Sequence, residues 1–170
     1  MMTPSRIVCG VLLLSVRLVP ALADDGCDKF AWSLTRERTL LAAADKPTVK
    51  AGETLATIPK TAITLQLQPG ANATFVMPPE RKSRVEPWFG GAIRLPALEK
   101  AGIYQITLSE EAWLDVVQDG RYARSVGSTG RGDCPGLRKS VRLDLAAAPF
   151  VLQFSGVSSD AIVITIGARE

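Results

Sequence analysis

The side chains that most often carry out catalysis are sparse in this chain. It contains no histidine among its 170 residues. That absence removes Ser-His-Asp and Cys-His catalysis, the usual zinc sites and the commonest general base near neutral pH. Carboxylates remain, and Glu110-Glu111 could supply an acid and a base, as in glycoside hydrolysis. Adjacent residues at a strand end point apart, so a solvated turn is the favoured interpretation and we assign no catalytic residue.

Metal chemistry has a similar candidate in the same stretch. Asp115 and Asp119, together with Glu110 or Glu111, offer the oxygen ligands that calcium prefers. The spacing of an EF-hand loop is missing, and solubility of an exposed turn explains these acids equally well. The sequence therefore predicts no metal site and no cofactor.

Two aromatic side chains are candidates for contact with a ligand. Trp88 and Trp113, if exposed, would stack on sugar rings as in a carbohydrate-binding sandwich. If buried, they would belong to the core or cover a sheet edge, and this second interpretation is the favoured one.

A run of cations provides candidates for binding an anion. Arg121, Arg131 and Arg138 would form a patch if their loops meet at one end of the fold, because the planar guanidinium suits carboxylate and phosphate. The alternative is a scatter of solvated cations. Arg131-Gly132-Asp133 also spells an integrin-binding tripeptide, a motif with many chance matches. The cations of this run are Arg121, Arg124, Arg131, Arg138, Lys139 and Arg142.

The N-terminus has the pattern of a secretory signal peptide. Arg6 precedes an apolar run over residues 7–16, and Ala21-Leu22-Ala23 is a small-residue cleavage site. We expect cleavage after Ala23 and a periplasmic or secreted protein with no transmembrane segment. Cleavage removes Arg6 and Arg17 but no acid, which lowers the formal net charge from +3 to +1. This small charge gives no reason to expect a nucleic-acid partner.

The cysteines support the same compartment. Cys9 would leave with the signal peptide, and Cys27 and Cys134 would remain as an even pair in an oxidising environment. We predict that they form one disulfide. A redox role is disfavoured because the chain has no CxxC motif.

The remaining pattern indicates a mainly β protein. Residues 102–120 show alternation typical of two half-buried strands, predicted as a central hairpin. A helix is predicted over residues 28–44 with Asp28 as its N-cap. Further strands follow, including one at 73–77, and residues 78–87 form a basic loop. A loop is also predicted over residues 127–136. The predicted fold is a single antiparallel β-sandwich, jelly-roll-like, over residues 24–170.

The C-terminal half resembles a known family. The stretch GIYQITL at 102–108, LDVV at 114–117 and the strands within 143–156 are similar to the bacterial pre-peptidase C-terminal domain, over about residues 89–166. That resemblance implies a small secreted β-sandwich. The chain departs from the family in its N-terminal helix, its cysteine pair and the lack of an attached catalytic domain.

The whole chain also resembles uncharacterised exported proteins of Gram-negative bacteria, some of them labelled homogentisate dioxygenase. Such a mononuclear iron site needs histidines with a carboxylate, so the missing histidine argues against that activity. We therefore expect a non-catalytic binding or accessory protein of the cell envelope. Its partner would be an envelope glycan, an anionic surface or a periplasmic protein. The alternative is an enzyme that uses carboxylates or a metal.

Overall fold

A computed structural model describes residues 26–169. The predicted signal peptide, residues 1–23, lies outside this range. The described chain forms two β-sheets and one short α-helix, which confirms the predicted β-sandwich class. Within these residues no helix is both long and apolar enough to cross a bilayer.

Within residues 26–169, eleven strands make up the two sheets. The six-stranded sheet contains, in spatial order, β1 (Thr48–Lys50), β2 (Ile63–Gln66), β11 (Ala161–Ala168), β5 (Gly102–Leu108), β9 (Lys139–Leu145) and β8 (Ser125–Gly130). The five-stranded sheet contains β3 (Gln68–Pro69), β4 (Phe89–Leu95), β10 (Phe150–Val157), β6 (Trp113–Gln118) and β7 (Arg121–Tyr122). The pair β1–β2 is parallel, and the other strand pairs are antiparallel.

The strand order is that of a jelly roll. One sheet contains the neighbours β2-β11-β5-β9, and the other contains β4-β10-β6-β7. Taken in chain order, these eight strands change sheet at every step except from β6 to β7, in the manner of two interlocked Greek keys. Side chains from both inner faces fill the space between the sheets. Those with no exposed surface include Leu65, Ile93, Ile106, Leu108, Leu152, Phe154 and Ile164.

The predicted central hairpin is wrong. β5 pairs with β9 and β11, whereas β6 pairs with β7 and β10, so the two strands belong to opposite sheets. The segment 109–112 carries the chain from one sheet to the other instead of turning it back. Alternation shows that a strand has an apolar face, but it does not identify the strand's partners.

The predicted helix over 28–44 is shorter in the structure. A 3₁₀ turn occupies Cys27–Lys29, and the α-helix α1 spans Thr35–Ala42 with Leu34 at its N-cap position. Asp28 therefore does not cap α1. Phe30 is extended, with a ψ of 155°, and Leu34 has a φ of −125°, so the chain between the 3₁₀ turn and α1 is not helical.

The disulfide between Cys27 and Cys134 is confirmed, and it closes a sequence separation of 107 residues. Both cysteines belong to a small second core that attaches α1 to the sandwich. A disulfide is compatible with a periplasmic or extracellular location. The other buried members of this core are Leu34, Leu41, Ala62 and Leu137.

The loop over residues 70–88 covers part of the outer face of the five-stranded sheet. Residues 73–77, predicted as a strand, belong to this loop. The Val76 and Met77 amides donate to Gln153 Oε1 at 2.6 and 3.1 Å, and Gln153 Nε2 donates to the Met77 carbonyl at 3.0 Å. A side chain of β10 therefore supplies the hydrogen bonds that a neighbouring strand would provide. The predicted loop at 127–136 likewise begins too early, because β8 extends to Gly130.

Candidate anion-binding cleft

A cleft of about 190 Å³ opens at one end of the sandwich, on the outer face of the five-stranded sheet. We call it the Trp113 cleft. Trp113 begins β6, Lys139 begins β9, and Ser155 lies near the end of β10, so the ends of three strands from the two sheets meet here. The basic loop closes the other side. The residues of that loop in the cleft are Arg81, Lys82, Ser83, Arg84 and Val85.

Trp113 forms one wall of the cleft and contacts two cations. The guanidinium carbon of Arg81 lies 4.4 Å from the centre of the indole ring, and Lys139 Nζ lies 5.4 Å from it. Both distances are within the range of cation–π attraction. The indole Nε1–H donates to Asp115 Oδ1 at 2.7 Å, which fixes the orientation of the ring.

Lys139 is a partly buried cation. Its Nζ donates to the Ala112 carbonyl at 3.1 Å. Burial lowers the pKa of Lys139, the nearby Glu111 carboxylate opposes this shift, and Arg81 adds to it. A desolvated ammonium gains more from an anionic partner than an exposed one does, because the local dielectric is lower.

Ser155 forms the base of the cleft. It faces Trp113 across the β10–β6 pairing and is only 3 % exposed. Its Oγ is buried and has no hydrogen-bond partner within the described residues. Gly156, with φ at 70°, bends the strand here, and Ser83 packs against it. An unpaired buried hydroxyl beside an opening is suited to bind a polar ligand atom.

The charge of the cleft favours anions. Its lining includes the cations Arg81, Lys82, Arg84 and Lys139, while Glu111 is the carboxylate among the described lining residues. Glu111 accepts from Arg138 Nε at 3.0 Å, and this exposed ion pair lies at the mouth of the cleft. Glu110 is exposed and does not line the cleft, so Glu110 and Glu111 do not form an acid–base pair within it.

Asp115 lies behind the cleft rather than in it. It is 4 % exposed and accepts from the Glu80 amide at 3.2 Å as well as from Trp113. Burial raises the pKa of this carboxyl, and the two hydrogen bonds partly offset the effect.

The acidic residues considered from the sequence as calcium ligands do not come together. Within residues 26–169 no three acidic or cysteine side chains are grouped to hold a metal ion.

A second hollow of about 350 Å³ adjoins the first. We call it the Trp88 hollow. The Trp88 ring stacks on Phe75 with centroids 6.5 Å apart and an interplanar angle of 19°. Gly70 and Gly90 leave space for the indole, since a Cβ at either position would meet it at less than 3 Å. Trp88 and Trp113 are thus both half-buried, between the two alternatives considered from the sequence.

Comparison with protein-family models, curated proteins and solved structures found no match. The similarities to the pre-peptidase C-terminal domain and to exported Gram-negative proteins therefore stay predictions.

The predicted arginine patch is divided by the fold. Arg138 and Arg131 are neighbours, because the Arg131 amide donates to the Arg138 carbonyl at 3.0 Å. Arg121 pairs with Gln118, whose side chain bonds to Ala146 beyond the far end of β9. The seven residues of β9 place Arg121 about 20 Å from Arg138. The three arginines therefore do not converge on one anion.

Arg131 also engages the acid of its own tripeptide. Its Nε and Nη2 donate to the two carboxylate oxygens of Asp133 at 3.0 and 2.8 Å. The hydrogen bonds from Arg131 lower the pKa of Asp133. The Arg and Asp side chains of the tripeptide are consequently bound to each other.

Three cleft residues were not singled out from the sequence. Lys139 belonged to the basic run and Arg81 to the predicted basic loop, but nothing indicated that they meet at Trp113. Ser155 gave no signal, because its alternation with Phe154 is that of any strand.

Proposed function

We propose that this protein is an exported, non-catalytic β-sandwich that binds an anionic ligand of the cell envelope through the Trp113 cleft. The observation that carries the proposal is the contact of Arg81 and Lys139 with the same indole ring, above the unpaired hydroxyl of Ser155. The Trp113 cleft thus combines cations, an aromatic surface and a hydrogen-bonding group.

The environment of each group favours binding over catalysis. Lys139 already donates to a backbone carbonyl, and the cleft carboxylate Glu111 is paired with Arg138. Asp115, which lies behind the Trp113 ring, accepts two hydrogen bonds. The cations of the cleft are therefore the groups that attract and orient negative charge. The predicted export, with which the disulfide is compatible, supports a ligand outside the cytoplasm.

The test compares two anionic probes with a neutral one. Polygalacturonate and phosphatidylglycerol vesicles represent carboxylate and phosphate anions, and dextran is the neutral control. We expect at least one anionic probe to bind at low salt, with an affinity that falls as the salt concentration rises. The Lys139→Met variant should lose most of this affinity. Arg121→Gln removes one positive charge from the far end of the sandwich and should leave the affinity nearly unchanged.

Two outcomes would contradict the proposal. One is the lack of binding to either anionic probe at low ionic strength. The other is equal weakening by Lys139→Met and Arg121→Gln, which would show that overall charge, rather than the cleft, attracts the probe.

A further inference from the structure

The Trp113 cleft and the Trp88 hollow are two parts of one surface. Arg81, Lys82, Ser83 and Ser155 line both of them. The tryptophans therefore lie on opposite sides of Ser155, with the basic loop above.

The sheet sets the distance between the two aromatic positions. Trp113 lies on β6, Ser155 on β10, and Trp88 directly precedes β4; these three strands are neighbours in the order β4-β10-β6. Adjacent strands are about 4.8 Å apart, so the two aromatic positions are separated by about 10 Å. A single small anion cannot contact both positions.

From this geometry we infer that the ligand is an acidic saccharide chain, with one sugar against Trp113, another against Trp88 and the connecting segment above Ser155. This inference rests on the proposed function and extends it to a ligand class and a second subsite. The Ser155 hydroxyl would donate to a ring, bridge or hydroxyl oxygen of the chain. Arg81 and Lys82 lie where both subsites can use their charge.

The chemistry of the lining favours a saccharide over an anionic lipid or an acidic peptide. A sugar presents a flat C–H face to an indole ring and hydroxyl or carboxylate groups at its edge. Both kinds of group have partners here: two aromatic rings, shared cations and an unpaired serine oxygen. The Arg81 guanidinium now covers Trp113, and its displacement by a sugar exchanges one weak cation–π contact for another stacking contact.

The experiment measures affinity against chain length in the protein purified after export. The probes are galacturonic acid and its oligomers of two and four units, with neutral cello-oligosaccharides of equal length as controls. We expect the oligomers to bind about tenfold more tightly than the monomer, because they occupy a second aromatic subsite. The neutral oligomers should bind much more weakly.

Variants then separate the two subsites. Trp88→Ala should weaken the four-unit chain about tenfold and leave the monomer nearly unchanged, while Lys139→Met weakens both. Arg121→Gln is the matched control for charge. If Trp88→Ala fails to fold, the affinity of the wild-type protein for saccharides of increasing length supplies the same information.

Separate outcomes identify a failure of the inference and a failure of the proposed function. Equal affinity for the monomer and the four-unit chain, or binding of phosphatidylglycerol vesicles without binding of oligogalacturonide, overturns the inference. If Lys139→Met still weakens binding in those cases, the proposed function survives. If neither saccharides nor anionic vesicles bind, both are wrong.

Discussion

The indole Nε1–H of Trp113 donates to Asp115 Oδ1 at 2.7 Å, two residues further along the same strand. The second oxygen of Asp115 accepts from the Glu80 amide at 3.2 Å. One buried carboxylate therefore fixes both the aromatic wall of the cleft and the basic loop opposite it. The stability of the fold and the geometry of the site depend here on the same group.

Asp115→Ala should destabilise the protein by about 2–3 kcal/mol, because the Trp113 and Glu80 N–H groups both lose their acceptor. Urea unfolding measures this free energy. Asp144→Ala removes an exposed carboxylate from β9 and is the control; its effect should stay within about 0.5 kcal/mol. Equal losses in the two variants would contradict a special role for Asp115.

Asp115→Asn should change how the free energy of unfolding depends on pH. Burial raises the pKa of Asp115 in the folded state, so the folded protein binds this proton more tightly than the unfolded chain does. The resulting stabilisation is full below the unfolded pKa and is lost as pH rises through the folded pKa. Since Asn cannot titrate, the stability difference between wild type and variant should be largest in acid and shrink toward neutrality. A difference that grows with rising pH would contradict this sign.

Gln153→Met should release the 70–88 loop while preserving the length of the side chain. The variant loses the acceptor for the Val76 and Met77 amides and the donor to the Met77 carbonyl. We expect faster hydrogen exchange at these two amides and a loss of at least about 2 kcal/mol in stability. Exchange at the Ile106 amide, in the centre of the six-stranded sheet, is the internal control. Unchanged exchange at Val76 and Met77 would show that the Gln153 side chain does not hold the loop in place.

The sequence is sufficient to predict the sandwich class and the disulfide, but not the arrangement of the strands. Alternation identifies β5 and β6 because each has an apolar face, yet the short segment between them suits either a hairpin or a passage between sheets. The strand predicted at 73–77 fails for a related reason. Its alternation is real, but its hydrogen-bond partner is the side chain of Gln153 rather than a strand.

The site was predictable only in its components. The sequence identifies Trp113 as an aromatic candidate and residues 78–87 and 121–142 as basic segments. Their meeting at one end depends on β6, β9 and β10 bringing residues distant in sequence together. The same topology carries Arg121 to the opposite end, which no local pattern could reveal.

The Cys27→Ser/Cys134→Ser double variant should unfold with a free energy about 2–5 kcal/mol lower than that of the wild type. The disulfide restricts a long segment of the unfolded chain and joins the 3₁₀ turn to the small second core. Thermal unfolding of both forms without reductant measures the loss. Addition of a reductant should lower the stability of the wild type and leave that of the variant unchanged. Equal stability of the two forms would contradict the prediction.

Glu111→Gln should increase the affinity for polygalacturonate. Glu111 is the carboxylate among the described cleft residues, and it pairs with Arg138 at 3.0 Å. Its neutralisation removes a repulsion from the ligand and leaves the Arg138 charge available. Because the pair is exposed, the expected gain is about 0.2–1 kcal/mol, or up to about fivefold in affinity at low salt. Glu110→Gln is the matched control, since it removes the same charge from an adjacent exposed residue outside the cleft lining. A larger gain in Glu111→Gln would indicate contact of the ligand with the cleft. An equal gain in both variants would show instead that the probe responds to the charge of the whole surface.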